Sequence, residues 1–289
     1  MSQFSHIDPD SIYTEQFFKD HLSWQPQYQI VADWICNAWC RCFSRHHGTQ
    51  LPIRVLDVGC GNAFLLHRLM HNALRANISD KMVMIPIYEP VSLLDSRDIL
   101  APDTFKSARV RAIDPAIQFT GIDCSRNAIA AAKDTFSDIA KNAINGWSET
   151  HGVSTCFLSF SNQGFSYIRL IEQDYTDSGL SFETNNHLVI CTEVAEHIDA
   201  TDARPFCRKL CASLEPGGML YFTAATPGQC GTWHVNLQPH RYWISIFEDL
   251  GLKYNDRLGV DMSWSVSPAI SSVPWLSENA MFFEKPMPK

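Results

Sequence analysis

Asp57-Val58-Gly59-Cys60-Gly61-Asn62-Ala63 is the stretch of this chain whose residue types and spacing are most committed to chemistry. Two glycines in such a turn let the backbone pass close under a ligand, and a helix starting at about Asn62 points its free amide groups and positive end at that ligand. A turn of this kind holds a nucleotide-like cofactor. Gly61 is followed by Asn62, Ala63 and Phe64, so the third glycine of a dinucleotide site and the lysine of a triphosphate loop are both missing. A second acid, Asp123, closes the run Ile117-Gln118-Phe119-Thr120-Gly121-Ile122. A carboxylate at the end of a second strand accepts both hydroxyl protons of a ribose diol. Its rival is Glu89, which is nearer the usual gap of about 20 residues after the glycine turn. Pro86, inside the run from Met82 to Tyr88, argues against a central strand there.

Holding these groups takes alternating strands and helices. Ile53, Val55, Leu56 and Val58 make a short buried strand, and Leu65, Leu66, Leu69 and Met70 recur at helical spacing beyond the turn. The pattern repeats: a helix from Arg126 to Lys141, a strand from Tyr167 ending near Asp174 and Tyr175, and a strand His187 to Cys191. A helix Thr201 to Leu214, the turn Glu215-Pro216-Gly217-Gly218 and a strand Met219 to Ala224 follow, and another helix starts at His240. Such alternation predicts an α/β fold with a doubly wound, mostly parallel sheet. The expectation is one domain over residues 1–289, with a helical N-terminal segment, 1–50, ahead of the first strand. Tyr13, Phe17 and Trp24 suit that segment to a lid over the site. Residues 77–116 and the Ser-, Gly- and Asn-rich 146–166 read as insertions.

The D-x-G-x-G of Asp57, Gly59 and Gly61 resembles the cofactor loop of class I S-adenosylmethionine-dependent methyltransferases. That family usually has glycine where Ala63 stands, and alanine there should cost little. GIDCS at 121–125, LVICTEVAEHI at 188–198 and PGG at 216–218 resemble further motifs of the family, and together these cover most of residues 53 to 226. The segment AATPGQCGTWHVNLQPHRYW, 224–243, resembles a subset of bacterial members. The resemblance implies a Rossmann-like sheet of seven strands flanked by helices, with S-adenosylmethionine as cofactor. It places Asp57, Gly59, Cys60, Gly61, Asp123, Cys124, Asp174, Tyr175 and Glu193 around that cofactor, with Asp174 receiving the adenine amine. Methyl transfer from a sulfonium is an in-line displacement, so a hydroxyl acceptor must be aligned and relieved of a proton. Histidine is the natural base near neutral pH. His234 is the first candidate and His197 the second.

The expected reaction is O-methylation of a small-molecule hydroxyl, on a sugar or a secondary metabolite. Glu193, Glu196, His197 and His234 also resemble the E-x-x-E-H…H metal site of small-RNA 2′-O-methyltransferases, in which two carboxylates and two imidazoles hold a divalent cation. The expectation here is no metal. A third alternative is a non-catalytic, cofactor-binding partner subunit.

Composition bounds these readings. The chain has 289 residues, 45% hydrophobic and 19% charged, enough for a sizeable core. Its formal net charge of −8 argues against a nucleic-acid or anionic-membrane footprint, and so against RNA as acceptor. The ten cysteines include no C-x-x-C pair; Cys36, Cys40, Cys207 and Cys211 sit four apart on helical faces, which reads as buried apolar surface. Residues 1–20 lack the apolar core of a signal peptide, and no apolar run is long enough to span a membrane. The expected location is a reducing cytoplasm, with a small-molecule acceptor as partner.

Overall fold

The computed structural model describes residues 8–42, 54–78, 83–87, 106–110, 117–141, 143–159, 165–177, 179 and 181–288. In chain order the strands are β1 (Arg54–Val58), β2 (Val83–Ile87), β3 (Lys106–Val110), β4 (Gln118–Asp123), β5 (Ala143–Thr150), β6 (Val153–Ser159), β7 (Phe165–Glu172), β8 (Asn186–Thr192), β9 (Leu214–Thr223), β10 (Lys253–Tyr254) and β11 (Met281–Glu284). The helices are α1 (Pro9–Ile12), α2 (Glu15–Asp20), α3 (Gln25–Cys42), α4 (Phe64–Ile78), α5 (Arg126–Thr135), α6 (Ser137–Ala140), α7 (Ala200–Ser213), α8 (His240–Asp249), α9 (Asp256–Val266) and α10 (Trp275–Glu278).

The main sheet has the order β10-β11-β9-β8-β1-β4-β7-β6-β5. Its five central strands are parallel, and β11 runs antiparallel to β9. The chain builds outward from β1 through β4 to β7, then returns to the other side of β1 with β8. That reversal opens a crevice at the carboxyl end of β1, where the glycine turn lies.

Alternation along each strand assigns residues to two cores. Val55, Leu188, Ile190, Met219, Tyr221 and Phe282 face the layer containing α3, α4, α5 and α9, where Trp34, Trp39, Leu66, Met70 and Met262 are buried. Their neighbours Leu56, Val58, Val189, Cys191, Leu220, Phe222 and Phe283 face α7 and α8, against Phe206, Leu210, Trp243 and Phe247. Burial on both faces is why these strands read as continuous apolar runs.

Two expectations change. The sheet has nine strands rather than seven, because β5 and β6 form a hairpin whose inner strand pairs antiparallel with β7. Most of the 146–166 stretch is therefore ordered sheet edge and not an irregular insertion. Its turn is His151-Gly152, both with positive φ (49° and 75°), the geometry that matches strand twist in a two-residue hairpin. Within 77–116, β2 and β3 pair as a separate two-stranded ribbon. It is β4 that lies beside β1; Glu89 falls outside the described residues. The described cysteines are free thiols, with Cys36, Cys207 and Cys211 buried. Among the described residues no helix is long and apolar enough to cross a membrane.

Candidate active site

The glycine turn and Asp123 form one wall of a cavity of about 350 Å³ at the carboxyl ends of β1, β4 and β8. Gly59 has φ 74°, and a Cβ there would sit 2.2 Å from Val194 Cγ2, so only glycine fits. Its N–H and that of Cys60 donate to the Ile122 carbonyl at 2.8 and 3.0 Å, which sets the turn against the end of β4. Gly61, with φ 50°, donates its N–H to Asp123 Oδ2 at 2.9 Å, and Ser125 N–H donates to Asp123 Oδ1 at 2.9 Å. Burial raises the Asp123 carboxyl to about 6 against these stabilising N–H groups. Asp57 lies behind the turn, its Oδ1 buried without a partner, and burial followed by the charge of Asp123 raises it to about 8.

Ala63 adopts φ 54°, a left-handed conformation that costs a residue with a Cβ about 1–2 kcal/mol. Alanine is thus more costly at this position than its small size suggests.

The opposite wall comes from the loops after β8 and β9. Glu193 takes φ 54° and Trp233 φ 61°, two strained backbone positions, each shortly before one of the histidines. Glu193 N–H donates to the carbonyl and to Oγ1 of Thr223 at 3.1 Å each, and its Oε1 accepts from Asn279 Nδ2 at 3.3 Å. The Glu196 carbonyl accepts the N–H groups of Val235 and Asn236, both at 2.9 Å, and so moors the loop that carries His234. The Glu196 carboxylate is fully buried and neither oxygen has a hydrogen-bond partner. His234 Nε2 stands 4.0 Å from Glu196 Oε1. Burial, then the Glu193 charge, pushes Glu196 well above the usual carboxylate range; Glu193 is raised by burial too.

His197 Nδ1 lies 3.1 Å from the Trp233 carbonyl, and the N–H donating there leaves Nε2 as an acceptor. Burial lowers its pKa to about 4, so this ring is neutral at physiological pH. The two imidazole centroids are 5.1 Å apart.

The N-terminal helices form the roof. Tyr13, Phe17, Phe18, Trp24 and Tyr28 line the cavity together with Trp275. Asp10 Oδ1 accepts from Ser125 Oγ and Asn127 N–H, the Tyr13 carbonyl accepts from Asn127 Nδ2, and the Phe18 carbonyl accepts from Asn62 Nδ2. The roof is thereby tied to both cofactor-side loops.

The cavity wall thus includes Gly59, Cys60, Gly61, Asp123, Tyr175, Glu193, His197 and His234 from the sequence-derived set. Asp57 and Cys124 stand behind it; the Cys124 thiol donates to Tyr175 Oη at 3.5 Å. Asp174 is exposed and off the wall, where its Oδ1 accepts from the Thr176 N–H and hydroxyl at 2.8 and 2.7 Å. It closes a turn there, the ordinary use of an Asp two residues before a free amide. Residues that motif reading left without a role also belong to the site. Gly231 is one, since a Cβ there would lie 2.0 Å from His234 Cε1. Gln229 is another, its Oε1 accepting from Asn279 Nδ2 at 3.1 Å. A glycine three residues before a candidate histidine was the available signal for the first; the second stands in the 224–243 segment, whose resemblance gave it no role. Glu196, His197 and His234 bring ligand atoms within 4.8 Å of one another, a spacing compatible with a shared cation.

No protein-family model matches the chain, and no curated protein does. Among solved structures the chain is similar to an O-methyltransferase family protein from Burkholderia thailandensis, with 13% identity and a TM-score of 0.51, over 94% of this chain and 58% of that one. The chain therefore spans less than two thirds of that protein's length. It is also similar to an S-adenosylmethionine-dependent methyltransferase from Clostridium acetobutylicum ATCC 824 (11% identity, TM-score 0.48, 90% and 92% of the two chains). A third similar structure is N-methyltransferase NodS from Bradyrhizobium japonicum WM9 in complex with S-adenosyl-L-homocysteine (15%, TM-score 0.44, 86% and 85%). At 13% identity the likeness to the Burkholderia protein is one of fold, the Rossmann-like α/β sheet that the strand order displays.

Proposed function

We propose that this protein is an S-adenosylmethionine-dependent methyltransferase that methylates a hydroxyl of a small, ring-bearing acceptor. The observation that carries this reading is one cavity with the glycine turn and Asp123 on one wall and His197 and His234 on the other. The turn fits the cofactor: Gly59 leaves room that a Cβ would fill, and α4 starts just beyond it. Asp123, already held by two backbone N–H groups, keeps lone pairs for a ribose diol. A bound cofactor would supply a sulfonium methyl group for in-line transfer, with a neutral thioether as the leaving group. His234 takes the hydroxyl proton, with the buried Glu196 4.0 Å behind it to favour the resulting imidazolium. His197, neutral and fixed by the Trp233 carbonyl, offers Nε2 as an acceptor for a second O–H or N–H of the acceptor molecule. The roof of Tyr13, Phe17, Trp24 and Trp275 suits an aromatic or fused-ring metabolite better than a bare sugar.

Titration calorimetry with S-adenosylhomocysteine, followed by transfer assays on phenols and sugar alcohols, tests this reading. Absence of cofactor binding overturns it; binding without transfer to any hydroxyl favours the partner-subunit alternative.

A second reading is favoured by the two orphaned oxygens of Glu196. A divalent cation held by Glu196, His197 and His234 would satisfy them and hold vicinal hydroxyls of the acceptor. The first reading expects full turnover in EDTA. Loss on chelation, restored by one divalent ion, would support the second. The net charge of −8 still disfavours RNA as that acceptor.

A further inference from the structure

His67 and His71 lie one turn apart on α4, and both reach Asp138 at the second position of α6. His67 Nε2 is 2.9 Å from Asp138 Oδ1 and His71 Nε2 is 2.8 Å from Oδ2. The ring centroids of the two histidines are 4.5 Å apart. None of the three lines the active-site cavity. Histidines at i and i+4 present both ring nitrogens on one helical face, and the carboxylate closes the third side.

We propose that His67, His71 and Asp138 form a binding site for a divalent transition-metal ion of the Zn²⁺, Ni²⁺ or Co²⁺ type. Two imidazole nitrogens and a carboxylate make a borderline donor set that suits these ions over Ca²⁺ or Mg²⁺. Two donors at about 2.1 Å from one ion are about 3.0 Å apart at the right angles of a six-coordinate site. The observed nitrogen-to-oxygen spacings already match that separation, with the carboxylate bidentate and the remaining positions open to water. Each Nε2 must then be unprotonated, with the ring proton on Nδ1. His67 Nδ1 makes no hydrogen bond that this exchange would break. Phe136, packed on the His67 ring with centroids 5.2 Å apart, fixes that ring in place.

The location gives the ion a structural task. His67 N–H bonds the Ala63 carbonyl at the end of the glycine turn. Helix α6 follows α5, which begins just past Asp123. An ion at this point ties together the helices that leave the two cofactor-binding strand ends, and this holds whether or not the chain transfers methyl groups.

The test is titration of the full chain, freed of metal by chelator, with Zn²⁺ by calorimetry and Co²⁺ by visible absorption. The variants are His71→Ala and Asp138→Asn, with His234→Ala to separate the cluster in the cavity. Both His71 and Asp138 are partly exposed, at 30% and 52%, so their replacement leaves the core intact. We expect wild type to bind the ion and to gain in Tm with Zn²⁺. Affinity should fall at least about 10-fold in His71→Ala and in Asp138→Asn, and hold in His234→Ala. No binding by wild type, equal binding by the His71 and Asp138 variants, or loss confined to His234→Ala would each overturn the proposal.

Discussion

On the cofactor wall Asp123 receives N–H groups from Gly61 and Ser125, and the turn's own amides are answered by the Ile122 carbonyl. On the acceptor wall both Glu196 oxygens and His234 Nδ1 are buried with no partner. The strain is distributed in the same sense. Left-handed backbone on the first wall falls largely on glycines, which adopt it freely, whereas on the second it falls on Glu193 and Trp233. One wall's cofactor-facing carboxylate, Asp123, is satisfied as folded, although Asp57 Oδ1 behind the turn and Asn62 Oδ1 beside it are not. The other wall is left for a proton, a ligand or an ion to complete, because an unpartnered buried polar group costs about 1–3 kcal/mol until something satisfies it. The raised pKa of Glu196 shows the same deficit, since a proton is the simplest partner it can take.

The contrast breaks most directly at His234. His234→Ala should lower turnover by about 100-fold or more while leaving S-adenosylhomocysteine affinity nearly unchanged; comparable losses in both would show that the walls are not separable. Asp123→Ala should do the reverse, weakening the cofactor by about 2 kcal/mol, or roughly 30-fold, through loss of a charge-assisted contact. Because burial raises this carboxyl to about 6, wild-type cofactor affinity should decline as pH falls through that value, and Asp123→Asn should remove the decline. Calorimetry at pH 5 and pH 7.5 checks both.

Asp57 sharpens the comparison through stability. Its folded pKa of about 8 lies above its ordinary value of 3.8, so the folded state holds the proton more tightly. The stabilisation this provides is complete below about 4 and is lost as pH rises through about 8. Asp57→Asn should therefore exceed wild type in stability by at least about 1 kcal/mol at pH 9, measured by urea unfolding, and the advantage should shrink at pH 5. Ala63→Gly has the smallest expected effect, a gain of about 0.5–1 kcal/mol, as relief of left-handed strain outweighs the extra backbone entropy of glycine.

Legibility in the sequence follows range. The glycine turn is written in seven adjacent residues, and Gly59 and Gly61 do have the positive φ their identity suggests. Asp123 is 62 residues from Gly61, yet the helix after it marks the strand end clearly, and the hydrogen bond to Gly61 joins the two. The hairpin of β5 and β6 was misread because its polar strands look like loop, although His151-Gly152 is a hairpin turn signal. Asp174 shows a local use that its position did not announce: its place after β7 suggested a ligand contact, and in the structure its Oδ1 accepts from Thr176 two residues on.

The sequence by itself determined the alternation of strands and helices, the turn after β1 and the sorting of apolar residues onto two faces, because these rest on steric and hydrogen-bonding rules that act over a few residues. Tertiary structure decided the cavity. Tyr13 and Phe17 reach it from the N-terminal helices, Glu196 and His197 from the end of β8, His234 from beyond β9 and Trp275 from near the C-terminus. It also decided that both Glu196 oxygens and Asp57 Oδ1 sit without partners and that both carboxyls titrate above their ordinary range, since burial and charge depend on which distant segments pack around a group and not on its neighbours in the chain.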